Sequence, residues 1–306
     1  MSPASVKVPV TVEGRTLTLS NLAKVLYPAE GFTKAQVLDY YTRIAPVLLP
    51  HLHDRPLTLK RYPDGVDGKS FFEKNAPSHA PDWVRTARLA SPGSTKKRET
   101  IDYTVVDDLP TLVWAANLAS IELHTPLWRV AAGEPDLLVF DLDPGPPATI
   151  VECAQVAHLL REILMADGLP PLAKTSGSKG MQLYCAIAPG FGAEQTSAYA
   201  KGLAQRLASA HPDLVVWQMT KALRPGKVLV DWSQNNGAKT TVSVYSMRAR
   251  PRPTVSTPVT WEEVADCERA GDPDLLVFTT DDVLARVARV GDLFSPLLAA
   301  GAPLPG

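Results

Sequence analysis

Three aspartates in apolar company are the residues of this 306-residue chain best suited to chemistry. In Asp136-Leu-Leu-Val-Phe-Asp-Leu-Asp-Pro-Gly145 an apolar run leads into Asp141 and Asp143 and breaks at Pro144-Gly145. Strand alternation puts both aspartates on one side, about 7 Å apart, with Leu142 pointing the other way. A second apolar run, Val228-Leu-Val-Asp-Trp-Ser233, delivers Asp231. Hard cations such as Mg²⁺ and Mn²⁺ prefer oxygen ligands. Three carboxylates on neighbouring strands would form a two-metal site for phosphoryl transfer. On the residues alone a plainer role stays open: Asp141 and Asp143 could end a strand or cap the helix that begins near Thr149.

Lys174-Thr-Ser-Gly-Ser-Lys-Gly180 joins two strand-like segments. Gly177 and Gly180 let backbone N–H groups approach an anion, and Ser176, Ser178 and Lys179 add side-chain donors. A phosphate loop of the GxxxxGK[ST] type would run into a helix. Here Met181-Gln-Leu-Tyr-Cys-Ala-Ile187 reads as a strand, which favours a hairpin-like triphosphate grip over that loop. A surface turn would use the same residues. His124, in Leu123-His-Thr-Pro126, is either a further polar group of the site or a satisfied structural histidine.

The elements that must position these groups follow from local signals. Capping boxes at Thr33–Gln36, Thr149–Glu152 and Thr260–Glu263, and the start at Thr279–Asp282, open four helices. A fifth is expected over residues 193–210. Strands are expected at 57–61, 100–106, 137–141, 182–187, 228–232 and 240–245. Strands and helices alternate through the middle, so the fold class is mixed α/β (α+β), with sheets flanked by helices. The 306 residues are expected to form one domain. Its parts are an N-terminal lobe to about residue 130, a core over about 131–260 and C-terminal helices over about 260–295.

The chain is 45% hydrophobic and 21% charged, with 31 basic and 32 acidic residues for a net charge of −1. A near-neutral total weighs mildly against a nucleic-acid partner, but phosphate contacts need only a local stripe. Residues 96–98 and 248–252 are such concentrations. Cys153, Cys185 and Cys267 are far apart and odd in number, which argues against a disulfide framework or structural zinc. No apolar run reaches membrane-spanning length, and MSPASVKVPV carries no apolar signal core. The expected location is cytoplasmic and nucleoid-associated.

In order, the chain carries LHTPLWR (123–129), DLDPG (141–145), KTSGSKG (174–180), VLVDWSQN (228–235) and YSMRARPRPTVSTP (245–258). Each is weak alone. Together they closely resemble the polymerase domain of bacterial ATP-dependent DNA ligase D, in the archaeo-eukaryotic primase superfamily, from about residue 10 to residue 293.

That resemblance implies a primase-polymerase fold with an RRM-like catalytic core. It implies template-directed or terminal nucleotidyl transfer from an NTP or dNTP to a primer 3′-hydroxyl by a two-metal mechanism. Mn²⁺ or Mg²⁺ would be the ions, with ribonucleotides preferred. Asp141, Asp143 and Asp231 resemble the metal-binding acids, and Ser176, Lys179 and Gly180 the triphosphate hairpin. His124 resembles the histidine beside the incoming nucleotide, and Arg248 the arginine that reaches its phosphates. Thr125 stands where valine is more familiar.

Lys24 and Lys34 resemble the lysines that hold the 5′-phosphate of a downstream DNA strand. The first turn of a helix, where Lys34 falls, already favours anions. Phe71 and Phe72 resemble an aromatic pair that contacts template bases. On the residues alone, the lysines could be surface charges and the phenylalanines core. The basic segment 91–99 resembles a loop that aligns DNA ends. DNA break repair follows as the expected role, by end joining or gap filling, with Ku and a separate DNA ligase as expected partners. The chain is expected to be either a stand-alone relative or a domain excised from a longer protein. The rival readings are a catalytically silent DNA-end scaffold and a small-molecule nucleotidyltransferase.

Overall fold

The computed structural model describes residues 7–90 and 99–305, so the expected end-aligning loop lies almost wholly outside the described residues. The chain opens with a hairpin, β1 (Lys7–Val12) and β2 (Arg15–Ser20), and a small pair, β3 (Val25–Tyr27) and β4 (Phe32–Thr33). Helix α1 (Lys34–Leu52) starts at Thr33, whose side chain accepts from the Gln36 N–H while Gln36 reaches back. Strands β5 (Pro56–Arg61), β6 (Phe71–Glu73), β7 (Thr86–Ala90) and β8 (Thr100–Val105) follow. Then come helix α2 (Leu109–Asn117) and strand β9 (Ser120–Thr125).

The second half holds β10 (Leu137–Pro144), α3 (Ile150–Ala166), β11 (Leu172–Thr175), β12 (Met181–Ala186) and α4 (Ala193–Ala210). After it run β13 (Val215–Val216), β14 (Val228–Asp231), β15 (Thr241–Val242) and β16 (Pro258–Val259). Two capped helices close the chain, α5 (Trp261–Ala270) and α6 (Thr280–Val290).

Two six-stranded sheets dominate. One has the order β13-β14-β10-β12-β11-β16; the other runs β15-β9-β5-β8-β7, with β6 paired to β5. The architecture is the expected mixed α/β. In the first sheet, alternation sorts every strand by face. Leu138, Phe140 and Leu142 of β10, with Leu183 of β12 and Val230 of β14, join a core shared with α3 and α4. Val139 and Tyr184, pointing the other way, join the core that α1 and the second sheet build. The face that carries Asp141 and Asp143 is therefore the one turned toward the second sheet.

All four expected helix starts form at their threonines, and residues 193–210 are helical. Three differences have physical reasons. Helix α2 has no polar face to give it a period: seven of its nine residues, Pro110–Ala116, are buried, and Asp108 caps it. Strand β10 runs on through Pro144, because Asp143 and Pro144 pair with Leu229 and Val228 of β14. The strand expected over 240–245 shrinks to Thr241–Val242, because the chain turns at Tyr245, where φ is +62°.

Candidate active site

Register builds the acidic centre. Asp141 of β10 stands directly opposite Asp231 of the antiparallel β14, and Asp143 follows two residues along the same face. The three carboxylates offer oxygens that lie within 4.8 Å of one another. Asp231 is held by its own turn: its Oδ1 accepts from the Ser233 N–H (2.9 Å) and Ser233 Oγ (2.5 Å), and its Oδ2 from Gln234 Nε2 (3.0 Å). Burial raises the Asp141 pKa, and the charges of Asp143 and Asp231 raise it further against a hydrogen bond from Gln182. Burial and Asp231 raise that of Asp143, against Arg224 and Arg248. Crowded carboxylates with raised pKa values are an arrangement that a divalent cation neutralises, and an all-oxygen donor set suits Mg²⁺ or Mn²⁺.

The hairpin stands beside it. Strands β11 and β12 pair antiparallel and Ser176–Gly180 turns between them. Ser176 Oγ accepts from the N–H groups of Ser178 (3.2 Å) and Gly180 (3.1 Å). Those two amides thus hold the turn together rather than reaching an anion. Arg248 Nη1 donates to the Ser176 carbonyl (2.5 Å), and Thr254 Oγ1 to that of Gly177 (2.6 Å). Gly177 has φ +66°, and a Cβ at Gly180 would lie 2.1 Å from the Leu142 carbonyl oxygen, so the turn must pass this close to β10.

A cleft of about 300 Å³ joins these parts, lined by His124, Asp141, Asp143, Lys179, Gln182 and Arg248 among others. Seven of the eight expected nucleotide and metal residues, Ser176 and Gly180 among them, thus border one space, and the eighth, Asp231, joins them through the acidic trio.

The second sheet supplies a residue that motif reading passed over. Glu122, two residues before His124 on β9, is buried and accepts from His124 Nε2 (3.0 Å) and the Ala249 N–H (3.1 Å). Arg248 Nε lies 3.4 Å and Lys60 Nζ 3.6 Å from its oxygens. Burial works against ionisation of Glu122, but the His124 hydrogen bond and the charges of Arg248, His124 and Lys60 hold its pKa well below the ordinary carboxylate value. Burial, with Arg248 and Lys60, keeps His124 below its usual value against the pull of Glu122. The imidazole is then neutral at pH 7, with Nε2 as its donor and Nδ1 as its acceptor. The available signal was a carboxylate alternating with Ile121 and Leu123 in a short strand, in phase with His124.

From His124 a line of groups leads away from the cleft. Phe72 meets His124 edge-on with ring centres 5.6 Å apart, and Lys60 Nζ lies 5.4 Å from the Phe72 ring centre. Arg61 sits over Phe71 at 5.3 Å. Phe71 and Phe72 are 45% and 57% exposed, which rules out the core role left open for them. Lys24 and Lys34 are neighbours, the Lys34 N–H donating to the Lys24 carbonyl (2.8 Å). Lys24 Nζ pairs with Asp64 at 3.1 Å, whereas Lys34 is only 4% exposed and donates to the Ser20 carbonyl (2.7 Å). Burial, with the charges of Lys24 and Arg61 nearby, brings the Lys34 ammonium down to about 8. Lys34 is therefore not the solvated surface charge that its sequence also allowed, whereas Lys24 is exposed.

The chain is similar to known proteins over nearly its whole length. The family model described as the LigD primase-polymerase domain matches residues 33–294. The multifunctional non-homologous end joining protein LigD of Mycolicibacterium smegmatis is 44% identical over 289 residues, covering 94% of this chain and 36% of that protein. The bifunctional non-homologous end joining protein LigD of Bacillus subtilis is 31% identical over 276 residues, covering 90% and 43% respectively. The chain thus spans less than half the length of these curated relatives. A solved structure, the polymerase domain from Mycobacterium tuberculosis ligase D in complex with DNA, matches with a TM-score of 0.86 and 43% identity. That match covers 93% of this chain and 99% of that one. Among the described residues, no helix is long and apolar enough to cross a membrane.

Proposed function

The chain belongs to the LigD primase-polymerase family, and from that premise we propose that it adds nucleotides from NTPs or dNTPs to the 3′-hydroxyl of a DNA primer at a gap or break. The observation that carries this reading is the single cleft shared by Asp141, Asp143, Lys179, His124 and Arg248, with Asp231 completing the acidic trio.

Asp141, Asp143 and Asp231 would hold two Mn²⁺ or Mg²⁺ ions. Their tight all-oxygen grouping fits such ions, which when bound supply charge stabilisation to the reacting oxygens. Lys179 and Arg248 would meet the charge of the triphosphate, Arg248 from a fixed position because Glu122 and the Ser176 carbonyl both hold it. Ser176 and Gly180 shape the turn that presents Lys179. His124, fixed by Glu122, would contact the incoming nucleotide, for which a ribose is the preferred sugar in this reading.

Lys24 and Lys34 would take the 5′-phosphate of the downstream strand, with Arg61 close by. Phe71 and Phe72 would stack on template bases, a contact indifferent to sequence. The solved relative is a DNA complex and the curated relatives are named for non-homologous end joining. Repair of DNA breaks is accordingly the role proposed here, with Ku and a DNA ligase as partners and the nucleoid as the place of action.

Primer extension on gapped DNA with a 5′-phosphate tests the proposal, using Mn²⁺ or Mg²⁺ and NTPs or dNTPs. The wild type should extend the primer and an Asp141→Ala/Asp143→Ala variant should not. If neither extends it while both bind the gap, the chain is a DNA-end scaffold. If nucleotide is transferred only to a small acceptor and gapped DNA is not bound, it is a small-molecule transferase.

A further inference from the structure

On the face of the first sheet that carries the acidic trio, four side chains stand in one row across four strands. Asp231 is opposite Asp141, Asp141 is opposite Gln182, and Gln182 is opposite Lys174. Residues directly opposite in adjacent strands share a face and touch. The row begins at the expected metal ligands and ends on a lysine that is 1% exposed.

The Lys174 ammonium has a complete set of partners. Its Nζ lies 2.5 Å from Gln182 Oε1, 2.6 Å from Ser256 Oγ and 3.2 Å from the Val242 carbonyl oxygen. The amide oxygen and the carbonyl can only accept. Ser256 Oγ donates its own hydrogen to the Thr175 carbonyl (2.9 Å), so toward Lys174 it too accepts. Three acceptors around one nitrogen call for three N–H donors, which only the ammonium form has. Burial, with Arg248, brings this lysine down to about 7 even against the charge of Asp141, which holds it up. A buried cation needs a compensating anion; the trio, which begins beyond Gln182 in the row, supplies it.

Gln182 is the link. Its Oε1 faces Lys174, which leaves its amide nitrogen as the end able to donate toward Asp141, the residue directly opposite on β10. We infer that Lys174 is a positioning residue for the metal site, which fixes the Gln182 amide so that Gln182 orients the Asp141 carboxylate, and which supplies the positive charge that lets three carboxylates gather. This rests on the reading of the trio as the metal site. Lys174 makes no contact with nucleotide or primer in this role. A purely structural lysine would do something else: through Val242 on β15 it would tie the two sheets together and leave the trio indifferent to it.

The test is the affinity for Mn²⁺ alone, without DNA or nucleotide, measured by calorimetry on the full chain with thermal unfolding alongside. Lys174→Met and Gln182→Met each keep an unbranched chain of similar length. Each should weaken Mn²⁺ binding by about tenfold or more, as loss of outer-shell partners does. The double variant should lose little beyond either single one, because the two residues act in series. Variants that bind Mn²⁺ as the wild type does, with only a lower melting temperature, would overturn the inference.

A wild type that binds no Mn²⁺ would overturn the metal reading itself and the relay with it. Should the variants not fold, nitrogen-15 spectra of lysine side chains decide. In a Lys34→Arg background the remaining buried ammonium signal should shift on saturation with Mg²⁺, and a stationary signal would count against the relay.

Discussion

Asp141 and Asp231 face each other directly across the β10–β14 pair, like charges in register at the centre of a sheet. Like charges directly opposite destabilise a strand pair. The fold accepts that cost here because β10 and β14 meet along an apolar face on their other side, through Leu142 and Val230.

The metal-free protein should therefore lose stability as pH rises. The Asp141 carboxyl has a higher pKa folded than unfolded, owing to burial and its two acidic neighbours. Between the unfolded value, about 3.9, and the raised folded value, folding takes up a proton, so stability falls with pH across that window. Asp141→Asn removes one charge of the trio and should flatten this slope. In chelator at pH 8 it should melt roughly 2–4 °C above the wild type, the change about 1 kcal/mol produces in a large domain. Mn²⁺ should raise the melting temperature of the wild type and leave that of Asp141→Asn nearly unmoved. Calorimetric scans at pH 5 and pH 8, with and without Mn²⁺, check all three points.

Glu122 binds His124 and Arg248 to one buried carboxylate. Glu122→Gln keeps the size but removes the charge that both answer to, and a broken buried pair leaves uncompensated charge behind. The KM for nucleotide should rise about tenfold, which is about 1.4 kcal/mol, while binding of gapped DNA without nucleotide stays within about twofold. Steady-state extension and fluorescence anisotropy separate the two. An equal loss in both would make Glu122 a general structural residue.

Why some of this was legible in the sequence and some was not follows from the range of each signal. Helix starts at Thr33, Thr149, Thr260 and Thr279 are local, each a threonine amide that donates to a side chain three residues on, and all four form. The hairpin between β11 and β12 was legible for the same reason. Helix α2 was not, because a helix buried on nearly every side carries no period. Nor was the row from Asp231 to Lys174, which exists only through strand register. Residues 231, 141, 182 and 174 have no sequence relationship that spacing could expose. Gln182 and Lys174 belong to recognisable segments, but their work depends on what stands opposite them.

Phe71 and Phe72 are exposed on a short edge strand, so they contribute little to the core. Phe71→Ala should change stability by less than about 0.5 kcal/mol, the usual range for surface sites. It should nonetheless weaken binding to template-containing DNA by about 1–3 kcal/mol, the worth of one base–aromatic stack. Phe72→Ala should do the same and also raise the nucleotide KM, since the Phe72 ring packs against His124. Thermal melts and anisotropy on the two variants test this. A large fall in melting temperature for Phe71→Ala would return the pair to a packing role.

Lys34 gives the proposed 5′-phosphate site its own pH dependence. Its pKa is drawn down to about 8 by burial and by the charges of Lys24 and Arg61. Below that value it is charged and favours a phosphate; above it the charge and its attraction are lost. A bound phosphate stabilises the ammonium and moves the midpoint up, so the loss should appear between about pH 8 and 10. Across that range the preference for 5′-phosphorylated over 5′-hydroxyl gapped DNA should shrink. In Lys34→Arg, whose guanidinium stays charged throughout, the preference should hold to the top of the range. Lys24→Ala should remove the exposed member of the pair and move the Lys34 midpoint up, because the Lys24 charge is one of those that draw it down. Anisotropy with the two DNA forms at fixed ionic strength gives the measurement. A preference unchanged from pH 7 to pH 10 in the wild type would remove Lys34 from the phosphate site.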